Sequence, residues 1–242
     1  MIEVVDVQKQ LEEAIRFYWR TRSAQASRQR AGDRVDAGMR SAVTGGTQMN
    51  ALEELVERIL IHAGIAQQFI YRRAAVELPG YYRPEKKWDL AVVVDDQLVA
   101  AIELKSQVGP SFGNNFNNRT EEAVGSAVDL WTAYRERALS QNFRPWLGYF
   151  FLLEDCERSR RPVHVRESHF PVDQIFAGTS YTERYQIFCQ RIVLERLYDA
   201  ACFVTSTDDP ISPMIEQPDR LLTFSGFIAS LQGKVYEFLE TR

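Results

Sequence analysis

The sequence predicts an α/β protein in which helices pack on a mixed central sheet. Three observations predict this class. Apolar residues recur at spacings of three and four in several long segments, a pattern typical of amphipathic helices. Other segments are short apolar runs bounded by turn residues, which is typical of strands. The two kinds alternate, so that residues 49–154 predict a core of helix, three-stranded antiparallel meander, helix and strand.

The N-terminal addition, residues 1–48, is predicted to be a helix followed by a loop. Apolar side chains within 4–29 share one helical face: Val4, Val7, Leu11, Ile15 and Tyr18. Residues 31–48 contain four glycines and lose the helical period, so we expect a loop rich in Arg and Gly.

The core begins with a helix over about 50–63. Asn50 is a suitable N-cap, Glu53 follows three residues later, and Gly64 is a suitable C-cap. Residues 68–78 then predict a strand, and residues 79–87 predict a connection rich in turns.

A hairpin follows, with apolar runs over 88–94 and 98–106. Asp95, Asp96 and Gln97 join the two runs, which predicts a three-residue turn. In that register, residue 94 pairs with residue 98, and residue 89 lies opposite residue 103.

The core closes with a loop, a helix and a buried strand. Residues 107–118 predict the loop. Asn118 and Glu121 form a capping box, which predicts a helix from there to about residue 139. The apolar run at 145–154 predicts a strand that is covered on both faces.

The C-terminal addition, residues 155–242, is predicted to be helical. Apolar spacing predicts one helix through Tyr185 to Cys202 and a second over about 224–240. A proline-containing loop separates them. Nothing in this composition marks a domain boundary, so we expect one domain of 242 residues.

Composition and charge narrow the class of protein. The three cysteines lack the spacing of a zinc site, so we expect reduced thiols in a cytoplasmic protein. No apolar run reaches 18 residues, which argues against a membrane-spanning helix. The net charge is −4, yet 24 of the 29 basic residues are Arg, and seven of them lie within residues 16–40. Arg clusters suit phosphate groups and guanine edges, although solvated salt bridges would also explain them.

Three charged residues interrupt the apolar hairpin: Asp89, Glu103 and Lys105. Glu103 and Lys105 share one face of their strand, and the predicted register places Asp89 beside Glu103. Two adjacent carboxylates repel each other unless a cation lies between them, and Mg²⁺ prefers such hard oxygen ligands. This arrangement suits phosphodiester hydrolysis, in which Lys105 would position or deprotonate water or offset negative charge. The alternative is an edge hairpin with solvated salt bridges.

The preceding helix offers a further acid for this site. Glu53, Glu54 and Glu57 are the candidates, and Glu54 is slightly favoured.

The segment KKWDLAVVVDDQLVAAIELKSQVGPSFGNNFNNRTEEAVGSAVDLWTAYRE resembles the XhoI family of Type II restriction endonucleases. The order of elements, with Asp89 and Glu103-Leu104-Lys105 on a hairpin, resembles the wider PD-(D/E)xK nuclease superfamily and its restriction-endonuclease-like core. The proline of that motif is absent, and Trp88 precedes Asp89. The resemblance implies that Asp89, Glu103 and the backbone carbonyl of Leu104 hold Mg²⁺ and that Lys105 is the catalytic lysine. It also implies a homodimer that cuts duplex DNA within CTCGAG and leaves 5′ overhangs.

Two loops are candidates for reading DNA, because Asn can bind adenine and Arg can bind guanine through paired hydrogen bonds. The candidate DNA-binding residues are Arg40, Thr44, Gly45 and Gln48 in one loop, and Asn114, Asn115, Asn117, Asn118 and Arg119 in the other. The alternative is that the asparagines serve as turn and capping residues.

Two other functions remain compatible with the residues alone. One is a nuclease of the same fold in DNA repair, recombination or RNA processing. The other is a DNA-binding module without enzymatic activity, in which the hairpin is inert.

Overall fold

The computed structural model describes residues 4–31, 47–139 and 142–242. The helices in these ranges are α1 (Val4–Ala31), α2 (Asn50–His62), α3 (Phe112–Arg135), α4 (Glu157–Arg160), α5 (Tyr181–Leu194) and α6 (Phe224–Glu240). The strands are β1 (Ile70–Arg72), β2 (Glu77–Pro79), β3 (Glu85–Lys87), β4 (Leu90–Val94), β5 (Gln97–Gln107), β6 (Trp146–Glu154), β7 (Ala200–Ser206) and β8 (Ile215–Glu216).

Six strands form one mixed sheet in the order β1-β4-β5-β6-β7-β8. The pairs β1–β4, β4–β5 and β7–β8 are antiparallel, whereas β5–β6 and β6–β7 are parallel. Strands β2 and β3 form a separate antiparallel hairpin. The predicted α/β class with a mixed central sheet is therefore confirmed.

Helices cover both faces of the sheet. On one face α1, α2 and α6 pack against side chains of β4, β5, β6 and β7 in a continuous apolar cluster. On the other face α3 and α5 pack against the alternate side chains of β5, β6 and β7. Strand β6 is apolar on both faces because it lies inside the sheet and is covered from both sides.

The N-terminal helix is tied to the sheet by hydrogen bonds as well as by apolar contacts. Trp19 is buried, and its indole N–H donates to the hydroxyl oxygen of Ser206 at 2.9 Å. The Tyr18 hydroxyl donates to the hydroxyl oxygen of Ser106 at 3.1 Å. These bonds join α1 to the C-terminal ends of β5 and β7, which is the end of the sheet where the charged residues of β5 lie.

Helix α2 begins and ends close to the predicted positions, but its N-cap differs. Met49 occupies the cap position and makes no side-chain capping bond, so Asn50 is the first helical residue. At the other end, Gly64 has φ of +107°. The N–H of Gly64 donates to the carbonyl of Ile61 and that of Ile65 to the carbonyl of Leu60, which closes the helix in a Schellman motif.

The single strand expected over 68–78 is wrong. Arg73 and Ala75 take left-handed backbone conformations, with φ of 65° and 56°. The chain therefore leaves the main sheet after β1 and enters the separate hairpin of β2 and β3. Strand β3 lies within residues 79–87, where the sequence predicted only a connection rich in turns.

The loop expected over 107–118 is also largely wrong, because α3 begins at Phe112. Phe112 and Phe116 pack against the rings of Tyr181 and Tyr185 on α5. These apolar contacts stabilise a helical turn in a segment whose Asn and Gly residues disfavour one. Asn118 lies inside the helix, so its predicted capping box with Glu121 does not form.

The C-terminal region contains strands as well as the predicted helices. Helix α5 ends at Leu194, and Arg196 follows with φ of 56°. The chain then runs into β7, which carries Cys202 beside β6, so the helix expected to reach Cys202 is too long. Helix α6 spans Phe224–Glu240, as predicted. Cys189 and Cys202 are buried free thiols and Cys156 is a half-buried free thiol.

Candidate active site

The hairpin has the predicted register at residues 89 and 103, but its turn is shorter than predicted and one strand contains a bulge. Asp95 and Asp96 form a two-residue turn, with φ of 48° and 59°, so Val94 pairs with Gln97. A bulge between Val92 and Val93 then shifts the register by one residue, and Leu90 lies opposite Ile102. Because the bulge supplies the residue that the shorter turn lacks, the position before β4 still lies opposite residue 103.

Lys105 bridges the two carboxylates that the register brings together. Its Nζ lies 2.9 Å from Oδ2 of Asp89 and 2.5 Å from Oε2 of Glu103. Oδ2 of Asp89 also accepts a hydrogen bond from the backbone N–H of Leu104 at 2.8 Å. The structure therefore places all three predicted catalytic side chains in one cluster.

A second ammonium group, which the sequence analysis missed, completes the cluster. Lys86 of β3 forms an ion pair with Oε1 of Glu103, so the two oxygens of this carboxylate each face a lysine. The side chain of Glu103 is only 3% exposed. Its neighbour in the β6 strand, Tyr149, is also buried. No spacing in the sequence signals this pair, because Lys86 belongs to another sheet.

Neighbouring charges and burial shift the pKa values of Glu103 and Lys105. Burial by itself would raise the pKa of Glu103, but the ammonium groups of Lys105 and Lys86 outweigh it, and the pKa is lowered. Burial likewise opposes the charge on Lys105, yet the carboxylates of Glu103 and Asp89 raise its pKa well above the usual value. Both shifts favour the charged forms of Glu103 and Lys105.

Of the three candidate acids on α2, Glu53 is the one that lines the cavity beside the charged cluster, whereas Glu54 was slightly favoured from the sequence. Glu53 is buried and lines a polar cavity of about 300 Å³ together with Asp89 and Lys105. Burial, followed by the charge of Asp89, raises the pKa of Glu53. Glu53 and Glu54 both lie within 4 Å of Arg72 and Arg73, but the side chain of Glu54 is 48% exposed. Glu57, the third candidate, binds Nε of Arg72 at 2.6 Å.

Two cavities flank the charged cluster. The 300 Å³ cavity is also lined by Arg22 of α1, Gln48 and Arg119 of α3. A second, open cavity of about 620 Å³ is lined by Lys86, Glu103, Lys105 and Arg119, among others. Arg119 thus faces both cavities and is held at 2.7 Å from Glu122. Arg22 belongs to the Arg cluster within residues 16–40 that the sequence shows, but no pattern in the sequence singles it out from the other six.

The other residues predicted to bind DNA are only partly placed. Arg40, Thr44 and Gly45 lie outside the described residues. The asparagines lie on the first turns of α3 instead of in a loop, where Asn114, Asn117 and Asn118 are exposed and Asn115 is half-buried. Asn114 lines a separate cavity beside Arg158 and Arg161.

The donor set fits a hard divalent cation better than a soft one. Within the described ranges, no group of three or more His, Cys, Asp or Glu side chains is arranged to hold a metal ion. Asp89 and Glu103 supply two carboxylates that already share one cation, the ammonium of Lys105. Two carboxylates completed by carbonyl, water and phosphate oxygens suit Mg²⁺, which retains several water ligands in protein sites.

None of the helices in the described part of the chain has an apolar stretch sufficient to span a bilayer.

Comparison with known proteins identifies relatives along most of the chain. The family model described as Restriction endonuclease XhoI matches residues 28–213. The chain is 45% identical over 202 residues to the Type II restriction enzyme BstVI of Geobacillus stearothermophilus, which covers 81% of this chain and 90% of that protein. It is 48% identical to the Type II restriction enzyme XhoI of Xanthomonas vasicola, over 67% of this chain and 66% of that protein. It is 44% identical to the Type II restriction enzyme AbrI of Azospirillum brasilense, over 70% and 76%. No solved structure gives a significant match.

Proposed function

The chain belongs to the XhoI family of restriction endonucleases and is a Type II restriction enzyme that acts on DNA, and from this premise we propose its cofactor, its target site and its catalytic residues. We propose that it uses Mg²⁺ to cut both strands of duplex DNA within the palindrome CTCGAG and leaves 5′ overhangs. Family membership argues against the two alternatives, a repair or RNA-processing nuclease and an inert DNA-binding module.

One observation carries this proposal: Asp89 and Glu103 converge on a single cation position, which the ammonium of Lys105 occupies, beside the C-terminal half of β5. In the proposed enzyme these carboxylates and the carbonyl of Leu104 hold Mg²⁺ on a restriction-endonuclease-like core. When bound, the ion would supply Lewis-acid activation of water and neutralisation of charge on the phosphate.

The proposed role of Lys105 is electrostatic. The carboxylates of Glu103 and Asp89 raise the pKa of Lys105, which favours its ammonium form and supports two of the roles that the sequence left open. Lys105 can orient the attacking water as a hydrogen-bond donor, and it can offset the charge that develops on the phosphate oxygens. Glu53 is the proposed additional acid, because its buried carboxylate lines the same cavity as Asp89 and Lys105.

Arg22, Gln48 and Arg119 are the proposed DNA contacts nearest the cluster, because they line the cavity that contains Asp89 and Lys105. Arg119 is the proposed base-reading residue. Its replacement by Ala should weaken binding to a CTCGAG duplex more than binding to a scrambled duplex. An equal loss on both duplexes would assign Arg119 to phosphate contact instead.

We propose that residues 1–242 form a single endonuclease domain and that two copies act together. A two-fold dimer matches a palindrome, because each copy would read one half-site and cut one strand. Sedimentation of the protein with a CTCGAG duplex should give a mass of two chains per duplex.

The deciding experiment is digestion of a plasmid that carries one CTCGAG site. Incubation with Mg²⁺ should give one linear product, incubation with EDTA should give none, and sequencing of the ends should place the cut within CTCGAG. Glu103→Ala should abolish cleavage while binding to the same site survives. Exposed Glu240 at the end of α6 provides a control, because it lies outside both cavities and Glu240→Ala should cut like the wild type. Normal cleavage by Glu103→Ala would disprove the site assignment, and ends at another sequence would disprove the target.

A further inference from the structure

Lys86 occupies an unusual position for a lysine of a small hairpin. Its ammonium is paired with Oε1 of Glu103, lies 4.5 Å from the centre of the Trp88 ring, and donates to the carbonyl of Lys87 at 3.1 Å. The side chain is 14% exposed, whereas its neighbour Lys87 is an exposed residue. A lysine that solvates its ammonium on the surface would not be held this way.

The hairpin that carries Lys86 is fixed against α3 at its tip. The carboxylate of Asp129 accepts hydrogen bonds from the N–H groups of Tyr81 and Tyr82 at 2.7 and 2.8 Å, and from Nε of Arg83 at 2.6 Å. The strands of this hairpin have only three residues each, so the tether at the tip does much to determine where Lys86 points.

The charges of the cluster balance without any further ion. Asp89 and Glu103 contribute two negative charges, and Lys86 and Lys105 contribute two positive charges. A divalent cation placed between the carboxylates would leave these four side chains with an excess of two positive charges, which is unfavourable beside the buried carboxylate of Glu103. Binding therefore requires an added anion, such as a DNA phosphate, or the departure of one lysine.

Lys86 is the lysine that can leave more readily. Lys105 contacts both carboxylates, whereas Lys86 contacts only Glu103 among the carboxylates of the described residues. The open cavity of about 620 Å³ beside Lys86 offers its side chain a place to go.

We propose that Lys86 is a placeholder cation: it occupies an oxygen of Glu103 while the enzyme is free of DNA, and a divalent metal ion must displace it to bind. This inference rests on the proposed function, in which Asp89 and Glu103 hold the metal. Its consequence is that the free enzyme binds metal weakly, and that a phosphate entering the open cavity strengthens metal binding by receiving the displaced ammonium.

Metal affinity of the DNA-free protein tests this proposal, with Mn²⁺ as the probe and the electron paramagnetic resonance signal of the free ion as the readout. Lys86→Met removes the charge and keeps the shape, and it should bind Mn²⁺ at least about fivefold more tightly than the wild type, the lower end of typical site-to-site coupling. Lys87→Met is the matched control, because it removes the same charge from the next residue, and it should stay within about twofold. Lys86→Arg retains the cation and should restore weak binding.

The outcomes separate this inference from the proposed function. If Mn²⁺ binds the wild type and Lys86→Met equally, or the variant more weakly, Lys86 only holds Glu103 in place and the placeholder role is wrong. If Lys87→Met tightens binding as much as Lys86→Met, the effect is general electrostatics and the role is again wrong. If Glu103→Gln binds Mn²⁺ as well as the wild type does, the metal site itself is misplaced, and the proposed function fails with the inference. Thermal unfolding of each variant checks that it is folded.

Discussion

Asp129 gives the sharpest test of how the hairpin of β2 and β3 is held. Its side chain is 5% exposed, and its two oxygens receive two backbone N–H groups and one guanidinium. A hydrogen bond to a charged group contributes about 1.5–3 kcal/mol. The contributions of bonds that share one carboxylate are not additive. The bond from Arg83 adds little to the free energy of unfolding, because this side chain is 43% exposed. Asp129→Ala should therefore lower the free energy of unfolding by about 3 kcal/mol.

Differential scanning calorimetry measures this loss. For a chain of this size, about 3 kcal/mol corresponds to a fall in Tm of about 6–12 °C. Hydrogen exchange should also accelerate at Tyr81 and Tyr82, whose N–H groups lose their acceptor. Glu122→Ala removes an exposed acid from the same helix and should change stability by less than about 0.5 kcal/mol. A fall in Tm of less than about 2 °C with unchanged exchange at both tyrosines would refute the tether.

The pH dependence of this effect follows from the pKa of Asp129. Burial raises that pKa, but the bonds from Tyr82, Arg83 and Tyr81 outweigh it and lower it below the ordinary value of 3.8. A depressed folded-state pKa gives stability that is present above the unfolded value and is lost as the pH falls through the folded value. The stability difference between the wild type and Asp129→Asn should be constant from about pH 5 to pH 8 and should shrink below about pH 4.

Two further predictions test the site and the fold. Glu53→Gln should slow cleavage at saturating Mg²⁺ by about tenfold or more, since general catalysis by a positioned acid contributes about 10²–10⁴-fold. The control, Glu54→Gln, should cut like the wild type. Equal rates for the two variants in plasmid digestion would remove Glu53 from the site. Gly233 lies in α6 with open space around the position of a Cβ atom, so Gly233→Ala should raise the free energy of unfolding by about 0.5–1 kcal/mol. Gly64→Ala should lower the free energy of unfolding, because the φ of Gly64 is +107° and the new Cβ would lie 3.0 Å from Leu239. Thermal unfolding that ranks the two variants in the other order would contradict this prediction.

The hairpin explains how an apolar core tolerates two adjacent carboxylates. Like charges at this separation are destabilising by themselves. Lys105 shares the face of Glu103 because residues two apart in a strand point the same way. Lys86 adds a second cation from outside the main sheet. The two lysines thus offset the charges of the two carboxylates, and the proposed metal ion would have to overcome this balance.

The sequence by itself determined the features that depend on spacing within one segment. The apolar period of α1, α2 and α6, the two runs of the hairpin and the buried run of β6 all follow from local patterns. The grouping of Glu103 with Lys105 follows from the period of a strand, and the resemblance in residues 86–136 led to the family that the comparisons confirm.

Tertiary structure decided everything that depends on contacts between distant segments. Helix α3 begins at Phe112 because rings of α5 pack against it, although the local Asn and Gly residues disfavour a helix. Lys86 reaches Glu103 because Asp129, which lies 46 to 48 residues beyond the hairpin tip, fixes that tip. Glu53 rather than Glu54 faces the cluster because the rotation of α2 is set by its packing against α1 and the sheet. Local propensity and periodicity carry no information about which distant surfaces meet, since burial and charge pairing act across the folded chain.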